Sequence, residues 1–418
     1  MNPTIKARIE SIRRGEVPEG YKRTKIGIVP NEWGNVLFST LIESFSVYTE
    51  DLEKYPLYSL TIEEGITPKT ERYERSFLVK KKNAYKVMRP NDFAYNPMNL
   101  RFGAVARYKG EKLISVSGYY DIFTTKSKLD LEFMDNFLIF DNMITYYNKV
   151  SIGSLIEKQR VHFSNFLNFE LPLPPPTERN RIAEILAGQD RVIALKEKLL
   201  AEKQKQKKYL MQQLLTGKKR LPGFSGEWKK SLLGDLFRER VETNCTELRL
   251  LAITGGQGVI PRDELELKDN SSEDKSKYKK ICVGDIGYNT MRMWQGVSAF
   301  SNYEGIVSPA YTILMPNSEI DAKFFAYLFK LPSIIFLFYR YSQGLVDDTR
   351  NLKYENLKRI RVLFPQDKKE QTAIAEILST ADKEIELLKK DIEQEKLKKK
   401  SLMQLLLTGI VRVDELVS

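Results

Sequence analysis

One stretch of this chain is written twice. Residues 182–217 and 374–409 align without a gap at an offset of 192 and are identical at 18 of 36 positions. The copies run from Ile-Ala-Glu-Ile-Leu, at Ile182–Leu186 and Ile374–Leu378, to Leu-Leu-Thr-Gly, at Leu214–Gly217 and Leu406–Gly409. A repeat of this length restricts the chain to two copies of one structural unit. Fainter matches extend upstream: Asp92, Tyr95, Asn96, Met98 and Gly103 pair with Asp285, Tyr288, Asn289, Met291 and Gly296. Val116, Ser117 and Tyr120 pair with Val307, Ser308 and Tyr311, and Ser151, Gly153 and Asn165 with Ser342, Gly344 and Asn356. Pro30–Trp33 (PNEW) is echoed by Ser225–Trp228 (SGEW). Each copy therefore reads as a globule of about 150 residues followed by one long helix.

The helical reading rests on spacing. Apolar residues recur in steps of three and four at Ile182, Leu186, Ile193, Leu200, Leu210 and Leu214, and at Ile374, Leu378, Ile385, Ile392, Leu402 and Leu406. A stripe this narrow is of the coiled-coil kind and calls for a partner helix, so these twelve residues are the expected helix and subunit interface. Pro174–Pro176 and Thr177 supply a start and Gly217 a left-handed stop. A helix of about 38 residues is about 57 Å long at 1.5 Å per residue. The lysines and glutamates between the apolar positions read as solvated faces. If the two helices pair antiparallel, the globules are related by a pseudo-twofold axis, and the start of the chain, Ala7–Tyr21, which resembles the end of a stalk, meets the end of the second helix.

Composition then removes chemistry. The 418 residues contain one histidine and two cysteines, so a nucleophilic triad would have to use His162, and a Cys/His zinc site would need Cys245, Cys282 and His162 to meet. No phosphate-loop motif is present. Asn96-Pro97-Met98 lacks the Asn/Asp-Pro-Pro-aromatic string of an amino-methyltransferase, and Asn289-Thr290-Met291 lacks the proline altogether. No catalytic residue and no metal site is expected. The N-terminus carries no apolar signal segment and no stretch approaches a membrane span, Leu331–Phe338 being the longest candidate, which leads to the expectation of a cytoplasmic protein.

The globules mix short apolar runs with Gly, Asn and Pro punctuation and a helical patch, an α+β pattern. Basic and aromatic residues interleave in both: Lys80, Lys81, Lys82, Tyr85, Arg89, Arg101, Phe102 and Arg107 in the first, and Lys277, Tyr278, Lys279, Lys280, Arg292, Trp294, Arg340 and Tyr341 in the second. At a net charge of +12 this is a nucleic-acid signature. Arginine, asparagine and glutamine can read base edges bidentately, whereas lysine mostly positions phosphates.

The two globules with their stalks ending in LMQQLLTG and LMQLLLTG, the GYKRTKIGIVPNEW and GFSGEW openings and the PPPTERNRIAEIL lead-in resemble the specificity (S, or HsdS) subunit of type I restriction-modification systems, over essentially the whole chain. The resemblance implies two α/β target-recognition domains, pseudo-twofold related and separated by two long antiparallel coiled-coil helices. It implies that each reads one half of a bipartite, asymmetric target in double-stranded DNA, while the stalks set the spacing and dock two methyltransferase subunits. It further implies restriction subunits as partners, with S-adenosylmethionine, ATP and Mg2+ used by those partners and no cofactor in this chain. Carried onto this sequence, it points to Asn96, Asn289, Arg101 and Arg292 beside the Tyr-Asn turns, and to the string Ser342-Gln343-Gly344 through Arg350-Asn351-Leu352. The first globule has Ser151-Ile152-Gly153 at that place, without the matching Gln and Arg. The expected layout is a leader at 1–23, a first recognition domain at 24–176, a first stalk at 177–217, a second domain at 218–365 and a second stalk with its tail at 366–418. Two other readings account for less of the sequence: a coiled-coil scaffold for proteins, and a stand-alone DNA-modifying enzyme.

Overall fold

The computed structural model describes residues 3–69, 83–155, 158–265 and 272–416. It divides into two compact units, Met1–Lys196 with Asp391–Ser418, and Glu197–Lys390. The division runs through both long helices, Pro176–Leu214 and Lys368–Leu406, and not along the linear layout read from sequence.

The first unit is built on a four-stranded antiparallel sheet ordered Val105–Arg107, Phe93–Tyr95, Asp121–Thr125, Ile42–Ser44. The second has the same order: Ser298–Phe300, Ile286–Asn289, Tyr311–Pro316, Phe237–Glu239. Each sheet packs on a helix pair, Leu131–Phe137 with Asp141–Val150 in one and Ala322–Leu328 with Pro332–Tyr341 in the other. Aromatics fill both cores. Phe38, Phe93, Phe123, Phe137 and Phe166 are buried in the first, and Phe237, Phe324, Phe325 and Phe329 in the second. Truncating one such ring to alanine typically costs 3–5 kcal/mol.

The repeat also extends where sequence identity is too sparse to show it. The hairpin Tyr58–Thr61 with Gly65–Pro68 recurs as Leu251–Thr254 with Gly258–Pro261. In each the threonine hydroxyl accepts a turn amide, Glu64 in one and Gln257 in the other, and the glycine takes a positive φ, +68° at Gly65 and +83° at Gly258. The Gly255-Gly256-Gln257-Gly258 run is this turn.

Within each unit the long helices run antiparallel. In the first, Gln189 donates to Glu395 at 2.7 Å, Lys196 pairs with Asp391 and Glu395 at 2.8 and 2.7 Å, and Lys399 pairs with Asp190 at 2.7 Å. In the second, Lys203 pairs with Glu384 at 2.7 Å and Lys207 with Asp382. The helix ends are fastened by a device that each unit repeats. Arg220, three residues past Gly217, grips Glu370 of the other helix's first turn through two bonds of 2.7 and 2.8 Å. Arg412, three residues past Gly409, grips Glu178 in the same way at 2.7 and 2.9 Å. A carboxylate at a helix N-terminus opposite a bidentate guanidinium gains from the helix dipole and from the paired geometry together.

The stop glycines have a second reason to be glycine. Gly217 (φ +70°) lies against the Trp228 ring, where a Cβ would sit 3.3 Å away, and at Gly409 (φ +66°) a Cβ would be 2.6 Å from Pro30 and 2.9 Å from Trp33. The recurring tryptophan and the recurring Leu-Leu-Thr-Gly are therefore two halves of one contact. The leader helix Pro3–Arg13 meets the chain's other end within the first unit: Arg8 pairs with Glu415 at 2.9 Å and the Tyr21 hydroxyl donates to the Gly409 carbonyl at 2.8 Å.

Among the described residues no single helix is long and apolar enough to cross a membrane. Ala322–Leu328 and Pro332–Tyr341 reach the length only as a pair bent by 83°, and they bury Phe324, Phe325, Leu328, Ile334 and Phe338 in the second core.

Candidate nucleic-acid interface

In the second unit the strand Ile286–Asn289 runs into a short 3-10 turn, Met293–Gln295. The Asn289 side-chain oxygen accepts from the Met291 amide at 3.0 Å, and Gly296 (φ +81°) ends the turn against Ile335, where a Cβ would lie 2.8 Å from the isoleucine Cδ1. This fixes Arg292 on the surface, exposed and with no side-chain partner among the described residues. The first unit makes the same turn. Asn96 accepts from Met98 at 3.0 Å, Leu100–Phe102 forms the 3-10 turn, and Gly103 (φ +92°) would place a Cβ 3.2 Å from Ile144 Cδ1. Asn96 and Asn289 therefore differ from the expectation. Their oxygens are committed to the backbone, and bidentate reading of adenine needs oxygen and nitrogen both; they are turn formers.

Next comes an excursion that each unit builds on one plan. Ser342 Oγ donates to the Phe338 carbonyl at 2.7 Å, Gln343 and Asn351 exchange two backbone bonds of 2.8 Å, and Gly344 (φ +133°) would put a Cβ 2.7 Å from the Thr349 carbonyl. In the first unit Ser151 Oγ donates to Tyr147 at 2.7 Å, Ile152 and Arg160 exchange two bonds of 3.0 Å, and a Cβ on Gly153 would be 2.8 Å from Gln159 Cα. The shared scaffold is stronger than the sequences suggest, because backbone bonds and two glycines define it.

The side chains on that scaffold differ. In the second unit Trp294 packs edge-on to Tyr339 (6.1 Å), and the Arg350 guanidinium lies 4.0 Å over the Tyr339 ring. Arg350 also donates to Asp347 and to the Tyr339 hydroxyl, both at 2.8 Å, so it braces the loop. Arg340 and Gln343 are exposed beside it, and Arg340, like Arg292, has no side-chain partner among the described residues. In the first unit Arg101 is drawn inward, donating to Gln159 at 2.9 Å with its guanidinium 4.5 Å over the Phe102 ring.

Arg107 is a clear correction. It is buried and pairs with Glu132 at 2.7 Å and Asp135 at 3.3 Å, with a further bond to Asn91 at 3.1 Å, so it ties sheet to helix and is not available to DNA. Lys279 and Lys280 are half-buried and neutralised, by Glu239 at 3.4 Å and by Glu242 and Glu304 at 3.4 and 3.2 Å. Lys80, Lys81 and Lys82 lie outside the described residues. The arrangement thus brings Arg292, Arg340, Gln343 and Arg350 together around one loop, and leaves the lysine pair in salt bridges.

A lysine not singled out from sequence holds this corner. Lys330 donates to the carbonyls of Gly296 and Ser298 at 2.7 and 2.6 Å, pinning the 3-10 turn to the helix pair. Burial, with the nearby charge of Lys207, lowers its pKa to about 8. Ile139 occupies the corresponding place in the first unit.

The apolar stripe of the stalks is used inside the chain, which corrects its assignment to subunit docking. Ile182, Leu186 and Leu406 belong to the first core, with Leu402 packed against it. Leu214, Ile374 and Leu378 belong to the second, with Leu210 packed against it. Ile193, Ile385 and Ile392 are buried and Leu200 is half-buried. The apolar residues left exposed are others: Val192, Leu195 and Leu397 in the first unit, and Leu199, Tyr209 and Leu387 in the second. Among the described residues no group of three or more His, Cys, Asp or Glu side chains could hold a metal ion.

Comparison with known proteins fits this duplicated build. The family described as the type I restriction modification DNA specificity domain matches residues 44–205 and again 226–396. The chain belongs to this family. It is 23% identical to the putative type I restriction enzyme MjaX specificity subunit of Methanocaldococcus jannaschii over 431 residues, covering 94% of this chain and 97% of that protein. It is 25% identical to the MjaVIII specificity subunit of the same organism over 319 residues, covering 66% and 72%. The crystal structure of a type I restriction-modification S subunit from M. genitalium shares the fold, with a TM-score of 0.53 at 16% identity, covering 90% of this chain and 96% of that one. The family domain occurs twice here, and each match reaches into the long helix that follows its globule.

Proposed function

We propose that this specificity-domain protein is the DNA-recognition subunit of a type I restriction-modification complex, with each unit reading one half of a bipartite, asymmetric target. The supporting observation is a shared framework bearing unlike surfaces. Turn, excursion and clamp are repeated residue for residue, while Arg292, Arg340 and Gln343 in one unit face Arg101, Ile152 and Gln159 in the other. Two readers that share a scaffold and differ in reading side chains are what an asymmetric target requires. Arg292 and Arg340 are placed to contact bases or phosphates, and Arg350 to hold the loop that carries Gln343.

In this reading the chain is not itself an enzyme. Methyl transfer from S-adenosylmethionine and ATP- and Mg2+-dependent cleavage belong to partner methyltransferase and restriction subunits. Two methyltransferase subunits dock on the helix pairs, through the exposed apolar residues named above and not through the buried stripe. The test is reconstitution with the partner methyltransferase subunits, followed by mapping of methylated bases and titration of DNA binding against salt. Methylation confined to a two-part sequence, with affinity falling as salt rises, is the expected result. Methyl transfer by this chain alone, or no DNA binding by the complex at low salt, contradicts the proposal.

A further inference from the structure

The tip of the 342–351 excursion is apolar and fully in solvent. Leu345 is 100% exposed and Val346 59% exposed. Exposed leucines are common singly, but two adjacent apolar side chains at the end of a braced loop are not explained by folding. The loop below them is held on both sides, by the Gln343–Asn351 bonds, by the close approach of Gly344 to the returning backbone, and by Arg350 clamped between Asp347 and Tyr339. The tip is therefore presented in a defined place, with the unpaired guanidiniums of Arg340 and Arg292 on neighbouring elements of the same unit.

We propose that this tip reads a thymine: Leu345, with Val346 beside it, packs on the C5-methyl group of one thymine in the half-site recognised by the second unit. The proposal rests on the DNA-reading function above and names the group it contacts. In the major groove the thymine methyl is the one apolar feature of a base edge, so an apolar tip flanked by cations matches it, with the arginines on phosphates or guanine. The first unit's excursion carries apolar exposure at the same level, Ile152 at 59% and Leu155 at 52%, on the same scaffold. An apolar contribution to base reading is thus a property of the excursion, with the residue at the tip selecting the step that is read.

The experiment uses the complex with its methyltransferase subunits and a set of target duplexes in which each thymine of the second unit's half-site is replaced in turn by deoxyuridine. One replacement should weaken binding about fourfold, the worth of one buried methyl. In the complex carrying Leu345→Ala, thymine and uracil duplexes should bind equally at that position, with other positions unchanged. Leu345→Met, which keeps apolar bulk, should restore part of the difference. The proposal is overturned if no thymine shows the loss, or if the loss persists in Leu345→Ala. It is also overturned if Leu345→Ala lowers binding of the methyltransferase subunits while DNA reading is unchanged, which would make the tip a protein contact. Absence of sequence-specific binding by the wild-type complex overturns the DNA-reading function as well, so the two failures are distinguishable.

Discussion

The two units use the same framework to opposite electrostatic ends. In the first, Arg107 and Arg101 are drawn into the protein, against Glu132 and Asp135 and against Gln159. In the second, Arg292 and Arg340 stand clear of any partner among the described residues, and a buried lysine, Lys330, holds the turn between them where the first unit has Ile139. Even a shared buried carboxylate is served differently. Asp92 takes Arg89 from three residues away, whereas its counterpart Asp285 takes Arg240 at 2.8 Å from another strand's end. A duplicated fold keeps its backbone devices while its charges are free to be reassigned, and surface reading evolves by that reassignment.

The largest expected effect sharpens the comparison at the helix clamps. Arg220→Ala leaves the Glu370 carboxylate, 2% exposed, without its partner and should destabilise the second unit by about 3–5 kcal/mol in chemical denaturation. Arg412→Ala should cost less in the first unit, because Glu178 is more exposed and keeps the Trp33 indole as a donor at 3.2 Å. Equal losses would show that the clamps are equivalent after all.

Lys330 gives the comparison a pH axis. Its folded pKa of about 8 lies below its unfolded value, so between about pH 8 and pH 10.5 the unfolded chain holds a proton that the folded one has released. Its contribution to stability therefore rises with pH across that window, by roughly 3 kcal/mol at full shift. Lys330→Met should abolish that slope when unfolding of the two proteins is followed from pH 7 to 10.5. A slope that survives the substitution would assign it elsewhere.

Arg107→Ala and Arg292→Ala should separate cleanly. The first should lower stability by about 1–3 kcal/mol through its orphaned carboxylates and change DNA affinity only through that loss. The second should leave unfolding unchanged and cost about 1–3 kcal/mol of binding at one base pair if Arg292 reads guanine, or weaken all sequences equally if it holds a phosphate. The smallest difference concerns the stop glycines. Gly217→Ala and Gly409→Ala each place a side chain at positive φ, about 1–2 kcal/mol, and Gly409→Ala should be the worse because a Cβ there meets Pro30 at 2.6 Å.

Much of this was legible in the sequence for a local reason. The 192-residue offset, the three-and-four spacing of the stalks and the glycine stops are properties of neighbouring residues, and periodicity reports them. The partners of an arginine are not local. Arg107 sits among basic and aromatic residues and looks like a DNA contact, but Glu132 and Asp135 reach it from a helix 25 and 28 residues further on. Asn289 looks like a base reader because its commitment to the Met291 amide is a matter of backbone geometry. The Arg220–Glu370 clamp spans 150 residues, yet it had a visible signal: the arginine three residues past each Leu-Leu-Thr-Gly and the glutamate in the first turn of each stalk obey the same offset as the stalks themselves. The stripe was read correctly as a helix interface but given to the wrong partner, since spacing cannot tell an internal helix from another subunit.

The central claim is that the two units read DNA independently. The most direct measurement is an exchange: residues 226–365 replaced by the corresponding segment of a related specificity subunit with a different target, and the methylated bases mapped in cells carrying the partner subunits. Independent reading predicts that one half of the bipartite target changes and the other stays as it was. A change in both halves, or in neither, contradicts it.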